Sequence, residues 1–180
     1  MQDTELALAI TKAMDLNLSQ IFNEIDLKVK NITHIKAEAI NSIKPLKQES
    51  RIFVFSEFKA GTQNTKAVIS FSKENALKMV DLIKGASLGT TKIISFQEVN
   101  SLKGISLNLF RAYLNSLNSV AKTKIELSEP QIAFSFSSFE NEFVAGSLKG
   151  QGRFFELTLT VGGTDIKGEL KFFAPIEVIK

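Results

Sequence analysis

RIFVFSEFKAGTQNTKAVISFS, residues 51–72, can be laid over RFFELTLTVGGTDIKGELKFFA, residues 153–174, without a gap. The constant offset of 102 matches Arg51 to Arg153, Phe53 to Phe155, Gly61 to Gly163, Thr62 to Thr164 and Phe71 to Phe173. Each stretch has a first arm of alternating aromatic and β-branched residues, a glycine-containing reversal and a second arm rich in β formers. That is the pattern of a β-hairpin whose two strands share one buried face. Two hairpins with the same internal spacing point to a duplicated unit. The competing explanation is that any two Phe-rich hairpins look alike.

Composition bounds the class. The chain has 180 residues, 44% hydrophobic and 23% charged, enough for one sizeable core in a single domain, since domains run to roughly 100–200 residues. The N-terminus MQDTE is acidic and lacks a positively charged start followed by an apolar stretch. No apolar run approaches the roughly 18–20 residues of a spanning helix, so the expectation is a soluble, cytoplasmic protein without membrane insertion. Zero cysteines removes disulfides, thiolate metal sites and thiol catalysis, and is compatible with a reducing compartment. Asn31-Ile32-Thr33 then carries no meaning as a glycosylation site. The single His34 leaves no two-histidine metal site within one chain. It lies in KVKNITHIKAEAI, residues 28–40, which reads as a strand, so it reads as an ordinary sheet histidine rather than as part of a nucleophilic relay. Gly61, Gly85, Gly89, Gly162 and Gly163 have neither the phosphate-loop nor the dinucleotide spacing, and no cofactor or metal is expected.

Two long helices are predicted, each leading into sheet. In the first, from about Thr4 to Asp26, Leu6, Ile10, Ala13, Met14, Asn17, Leu18, Ile21 and Ile25 recur at three and four. Then come the strand at 28–40, a loop around Lys44-Pro45-Leu46, the first hairpin, and SKENALKMVDLIKG as a three-turn helix with Ser72 as N-cap and Gly85 as C-cap. The second long helix runs from about Ser95 to Ala121. One of its faces carries Val99, Leu102, Leu109, Phe110, Tyr113, Leu117 and Val120, interrupted by Ser106. The other carries Gln97, Ser101, Gly104, Asn108, Arg111, Asn115, Asn118 and Lys122, a stripe of amides and cations without an acid. KTKIELSEPQIAFSF resumes as strand, broken at Pro130, and residues 137–150 hold a short helix before the second hairpin. Strands gathered against helices in this order argue α+β rather than a parallel sheet of β-α-β units.

With these residues in view, the chain resembles the CheC/CheX/FliY family of chemotaxis proteins, which dephosphorylate the response regulator CheY and share their fold with the middle domain of the flagellar switch protein FliM. IFVFSEFKAGTQNTKAVISFSKENALKMVDLIKG looks like the family's hairpin followed by its short helix. EVNSLKGISLNLFRAYLNSL followed by IELSEPQIAF looks like its second long helix followed by the strand that carries a Pro. The resemblance covers nearly the whole chain and implies an α+β, CheC-like pseudo-twofold: halves at about 4–85 and 95–180, with the two long helices on one sheet.

The family's catalytic signature is Asp or Ser, Glu four residues on and Asn three further, with a Pro about twenty-three residues after the Asn. By that resemblance the carboxylate engages the regulator and the Asn carboxamide orients a water in line with the aspartyl phosphate, which is catalysis by positioning. In one register Ser101, Ile105 and Asn108 fall on the motif, with Pro130 nearly at distance, and the Glu has become Ile. In the other, Gln97, Asn100 and Gly104 recover the Asn and the Gly that follows it, with Gln for Glu and Pro130 too far away. Glu98 is adjacent, but Glu98 and Asn100 are two apart and diverge on a helix. In the first long helix Asp15 takes the first position and Ser19 and Phe22 occupy the others. Glu38 to Asn41, the Glu-x-x-Asn of the chain, lies after a predicted strand and is not counted.

The resemblance therefore implies a protein that binds a CheY-type response regulator with weak or no phosphatase activity. An active phosphatase using Asn108 or Asn100 is the alternative, and an unrelated α+β domain is the third reading. Asn108, Asn100, Gln97 and Glu98 are the candidate catalytic residues. Ser101, Lys103, Arg111 and Asn115 are the candidate partner-binding residues, with flagellar switch components as further partners and homodimerisation left open. Charge adds a hint. Lys84, Lys92, Lys103, Arg111, Lys122 and Lys124 face only Glu98 between residues 84 and 124, while residues 1–27 carry five acids against Lys12. A basic helix suits an acidic partner such as a receiver domain, although simple solvation of both faces accounts for the same pattern. Net charge +3 and the absence of an aromatic-basic motif argue against nucleic acid.

Overall fold

The computed structural model describes residues 12, 25–36, 50–60, 63–120, 124–135 and 151–175. Seven strands in these residues form one antiparallel sheet: β1 (Ile25–Lys36), β2 (Arg51–Ala60), β3 (Gln63–Ser72), β4 (Ile125–Leu127), β5 (Gln131–Ala133), β6 (Gln151–Val161) and β7 (Lys167–Pro175). Their order is β1-β6-β7-β3-β2-β4, with β5 also on β2. Two helices, α1 (Lys73–Ile83) and α2 (Phe96–Val120), complete the α+β architecture.

The two stretches that match in sequence are both hairpins, and their registers coincide. Arg51 opposes Ser72 and Phe53 opposes Ser70; 102 residues later Arg153 opposes Ala174 and Phe155 opposes Phe172. The hairpins meet through β3 and β7, where Val68 opposes Lys171 and Ile69 opposes Leu170. Adding 102 to one member of the first pair and subtracting it from the other yields the second pair, as a twofold between the hairpins requires. The outermost strands each break register once. Along β1, Val29 opposes Leu157 and Asn31 opposes Glu156; along β4 and β5, Leu127 opposes Phe58 and Gln131 opposes Phe55. Each outer strand thus carries one extra residue relative to its neighbour, which bends it locally.

Alternation along the strands separates two buried layers. Ile52, Val54 and Phe58 of β2, Ala67, Ile69 and Phe71 of β3, Leu157 and Leu159 of β6 and Leu170 of β7 pack in one core with Ala76, Met79 and Val80 of α1 and Leu102, Ile105, Leu109, Phe110 and Tyr113 of α2. Phe53, Phe55, Val68 and Ala133 form a smaller cluster on the other face. Phe58 meets Phe110 and Tyr113 edge-on, with ring centroids 6.2 and 5.6 Å apart, contacts worth about 0.5–1.5 kcal/mol each beyond their area. Phe71 lies over Gly168 of β7, where a Cβ would sit 2.6 Å from the ring.

Local chemistry explains the element ends. Ser72 Oγ accepts from Asn75 N at 3.2 Å to open α1. The helix closes with Gly85 in the left-handed region (φ 64°), Gly85 N donating to Leu82 O and Ala86 N to Asp81 O at 3.1 and 2.9 Å, a Schellman turn. The break at 128–130 keeps its bonds through Ser128. Its Oγ accepts from Glu57 N at 3.0 Å and its N donates to Glu57 O at 2.9 Å, with Pro130 buried.

One boundary differs from expectation: Ile25 and Asp26, read as the end of the first long helix, begin β1 instead. The branched Ile25 pairs with Val161 of β6, and sheet pairing overrides the helical periodicity there. His34 sits in β1 opposite Arg153, a sheet position as expected. Of residues 1–24, where the first long helix is expected, only Lys12 is described, and it is helical and exposed. Asp15, Ser19 and Phe22, the loop around Pro45 and the short helix expected in 137–150 lie outside the described residues.

Candidate functional site

α2 is the element on which the candidate residues converge, and its first turn is set by a reciprocal cap. Ser95 Oγ accepts from Gln97 N at 3.3 Å, while the Glu98 carboxylate accepts from Ser95 N at 2.9 Å and from its hydroxyl. Glu98 is 7% exposed and also pairs with Lys84 Nζ from the end of α1. The Lys84 ammonium, then the Ser95 donors, hold its pKa down to about 2. Glu98, a catalytic candidate in the sequence, is therefore committed to the helix cap and the α1–α2 junction. The Ser-x-x-Glu spacing at 95–98 is itself the signature of such a cap.

The remaining candidates separate by exposure. Gln97 and Asn100 are exposed and, three apart, share one face of the first turns, with exposed Gly104 beyond them. Ser101 is half-buried and its hydroxyl donates to Gln97 O at 3.1 Å, a bond within the helix. Ile105 is 5% exposed and belongs to the core. In the register Ser101, Ile105, Asn108 the position that would carry the docking carboxylate is therefore inside the protein, and Asn108 is half-buried. Lys103 is half-buried, and Arg111 and Asn115 are exposed. Asn118, at the far end of the stripe, accepts from Ile125 N at 3.0 Å and closes the connection to β4. The stripe is thus a solvent-facing band of amides with Arg111 in its middle. The Glu98 carboxylate of the same helix is turned into the cap.

Sequence reading missed two features near this face. Asp81, fully buried on α1, accepts from Gly89 N, Thr90 N and Thr91 N at 2.7, 3.0 and 2.8 Å. Bonding from Thr91 first holds its pKa below the ordinary value against the opposing effect of burial. It fixes the loop that leads into α2. An acid inside the apolar run Met79-Val80-Asp81-Leu82, just before GASLGTT, was the available signal. The second feature is a groove of about 500 Å3 lined by Arg51, Ile52, Lys73, Ile93, Ile94 and Phe134 among others, brought together from β2, α1, the 84–95 loop and the end of β5. Separation in sequence hid it. Among the described residues no cluster of three or more acids or histidines is arranged to hold a metal ion, and no helix is long and apolar enough to cross a membrane.

This sheet and helix arrangement is the CheC/CheX/FliY-like fold. No family model matches the sequence, and no curated protein matches it either. Among solved structures the chain is similar to FliY of Thermotoga maritima, with a TM-score of 0.69 at 16% identity over 99% of this chain and 93% of that one. It is similar to a chain of the FliG–FliM complex from H. pylori, with a TM-score of 0.61 at 13% identity, covering 98% and 96%. It is also similar to a chain of the CheX–CheY–BeF3–Mg2+ complex from Borrelia burgdorferi, with a TM-score of 0.60 at 10% identity, covering 94% and 97%.

Proposed function

We propose that this chain is a CheC/CheX-like chemotaxis protein that docks on a CheY-type response regulator through the exposed amide band of α2, with weak or no phosphatase activity of its own. Solved neighbours of the same fold include CheX in complex with CheY and FliM in complex with FliG, which supports a receiver domain as partner and flagellar switch components as further ones. The observation that carries the reading is the band itself. Exposed Gln97, Asn100, Arg111 and Asn115 present donors suited to a carboxylate-lined pocket, while Glu98 is spent in the cap. Of the two registers, Gln97 with Asn100 is favoured, because Ile105 is a core residue. An uncharged Gln in the docking position holds a regulator less firmly than a carboxylate. The Asn100 carboxamide is then not fixed to the fraction of an ångström that in-line water attack requires. Phosphate release from a phosphorylated CheY-type regulator tests this. Acceleration below about tenfold is expected, equivalent to roughly 1.4 kcal/mol of barrier. A larger acceleration that is lost in Asn100→Ala would establish the alternative, an active phosphatase.

A further inference from the structure

We propose that the groove beside the start of α2 is a docking site for an acidic peptide segment of a partner protein that inserts one large apolar side chain. It is lined by apolar Ile52, Ile93, Ile94 and Phe134 and by basic Arg51 and Lys73, with no carboxylate among the described lining residues. Ile93 is 71% and Phe134 52% exposed, and Phe96, three residues on, is 78% exposed. Large apolar side chains left open around a concavity mark an interaction surface.

Charge selects the occupant. Arg51 is engaged with Ser70 Oγ at 3.0 Å and with Glu169 at 3.6 Å. Lys73 is exposed at the first residue of α1 and makes no ion pair among the described residues. Its neighbour Glu74 is instead held by Lys78 at 2.8 Å. Lys92, next to Ile93, is exposed and makes no ion pair among the described residues either. The positive end of α1 adds to the same field. Among the described residues Glu169 is already paired with Arg51, Asp81 is bonded by the 89–91 amides and Glu98 is held by Lys84 and Ser95. An acidic segment with an aliphatic or aromatic anchor meets both demands. A basic or purely apolar segment meets one at most. The site uses none of Asn100, Arg111 or Asn115, so it stands apart from regulator docking on the amide band.

Fluorescence anisotropy with a labelled peptide, Asp-Glu-Leu-Asp-Phe-Leu-Glu, and its counterpart with Lys at every acidic position tests the proposal on the full chain. The acidic peptide is expected to bind at about 10–100 µM and to weaken as salt rises from about 50 to 500 mM. The basic one is expected not to bind. Ile93→Ser, Phe134→Ser and Lys73→Glu should each weaken binding at least about fivefold, with circular dichroism unchanged, since all three positions face solvent and a Glu suits a helix N-terminus. Arg111→Ala should bind the peptide as the parent does. Equal binding of both peptides, insensitivity to the three substitutions, or no binding at about 1 mM would overturn the proposal. Sedimentation showing a concentration-dependent dimer dispersed by Ile93→Ser would overturn it too, by assigning the groove to a second copy.

Discussion

At the scale of single residues, the Ser106 hydroxyl of α2 works against the fold. Ser106 is fully buried and its Oγ has no hydrogen-bond partner among the described residues, a condition that costs about 1–3 kcal/mol relative to a satisfied group. Ser106→Ala is therefore expected to leave stability unchanged or raise it by up to about 1 kcal/mol, read as a rise in the urea midpoint. A clear drop would mean that the hydroxyl is satisfied in solution. Gly168 makes the opposite case. A methyl there would press on the Phe71 ring, so Gly168→Ala should cost about 1–3 kcal/mol, detectable by the same denaturation. Glu98 supplies a pH dependence. Its folded pKa of about 2 lies below its unfolded value near 4.3, so the unfolded chain binds more protons in that window and stability falls as pH drops from about 5 towards 2. Asp81 is depressed in the same direction. Glu98→Gln should flatten part of this acid slope in urea midpoints measured between pH 5 and 3. An unchanged slope would remove Glu98 from the cap.

At the scale of elements, hairpins and caps were legible because their signals are local. The offset of 102 between the two hairpins predicted a shared register, and Arg51 with Ser72 and Arg153 with Ala174 occupy equivalent pairs. Ser72 and Gly85 bound α1 as their residue types require, and Pro130 marks the break between β4 and β5. Glu98 was legible in type but not in role. A carboxylate beside Gln97 and Asn100 reads equally as a docking group or a cap, and the presence of Lys84 and Ser95 around it is a matter of packing. The start of β1 at Ile25 was not legible, because Ile25 also fits the three-four apolar period and only its pairing with Val161 decides. The groove at Ile93 and Phe134 draws on segments more than forty residues apart, beyond any local pattern. At this scale the cap also yields an expectation. Ser95→Ala should destabilise by about 1 kcal/mol and loosen the first turn, lowering amide-exchange protection at Gln97 and Glu98.

At the scale of the whole molecule, the pairing of the two hairpins is symmetric about the contact between β3 and β7. We propose that the symmetry extends to the helices, making one domain of two halves, residues 4–85 and 95–180, that superpose with the long helices side by side. A crystal structure in which the segment before β1 does not overlay α2 would contradict that extension. In such a construction the segment before β1 would be the counterpart of α2, and the exposed amide band is a property of α2 itself. The sequence carried this candidate site because the band is a property of one helix, whose 3.6-residue period separates Asn100, Arg111 and Asn115 from Leu102, Leu109 and Tyr113. Choosing between the two motif registers needed the burial of Ile105, which depends on how α2 rolls against the sheet. The most direct measurement is a calorimetric titration of a beryllofluoride-activated CheY-type regulator into the parent chain and into Arg111→Ala. Binding by the parent, weakened about tenfold in the variant and more strongly salt-dependent in the parent, is the expected result. A regulator that binds neither chain, or binds both with equal affinity and equal salt dependence, would contradict the account.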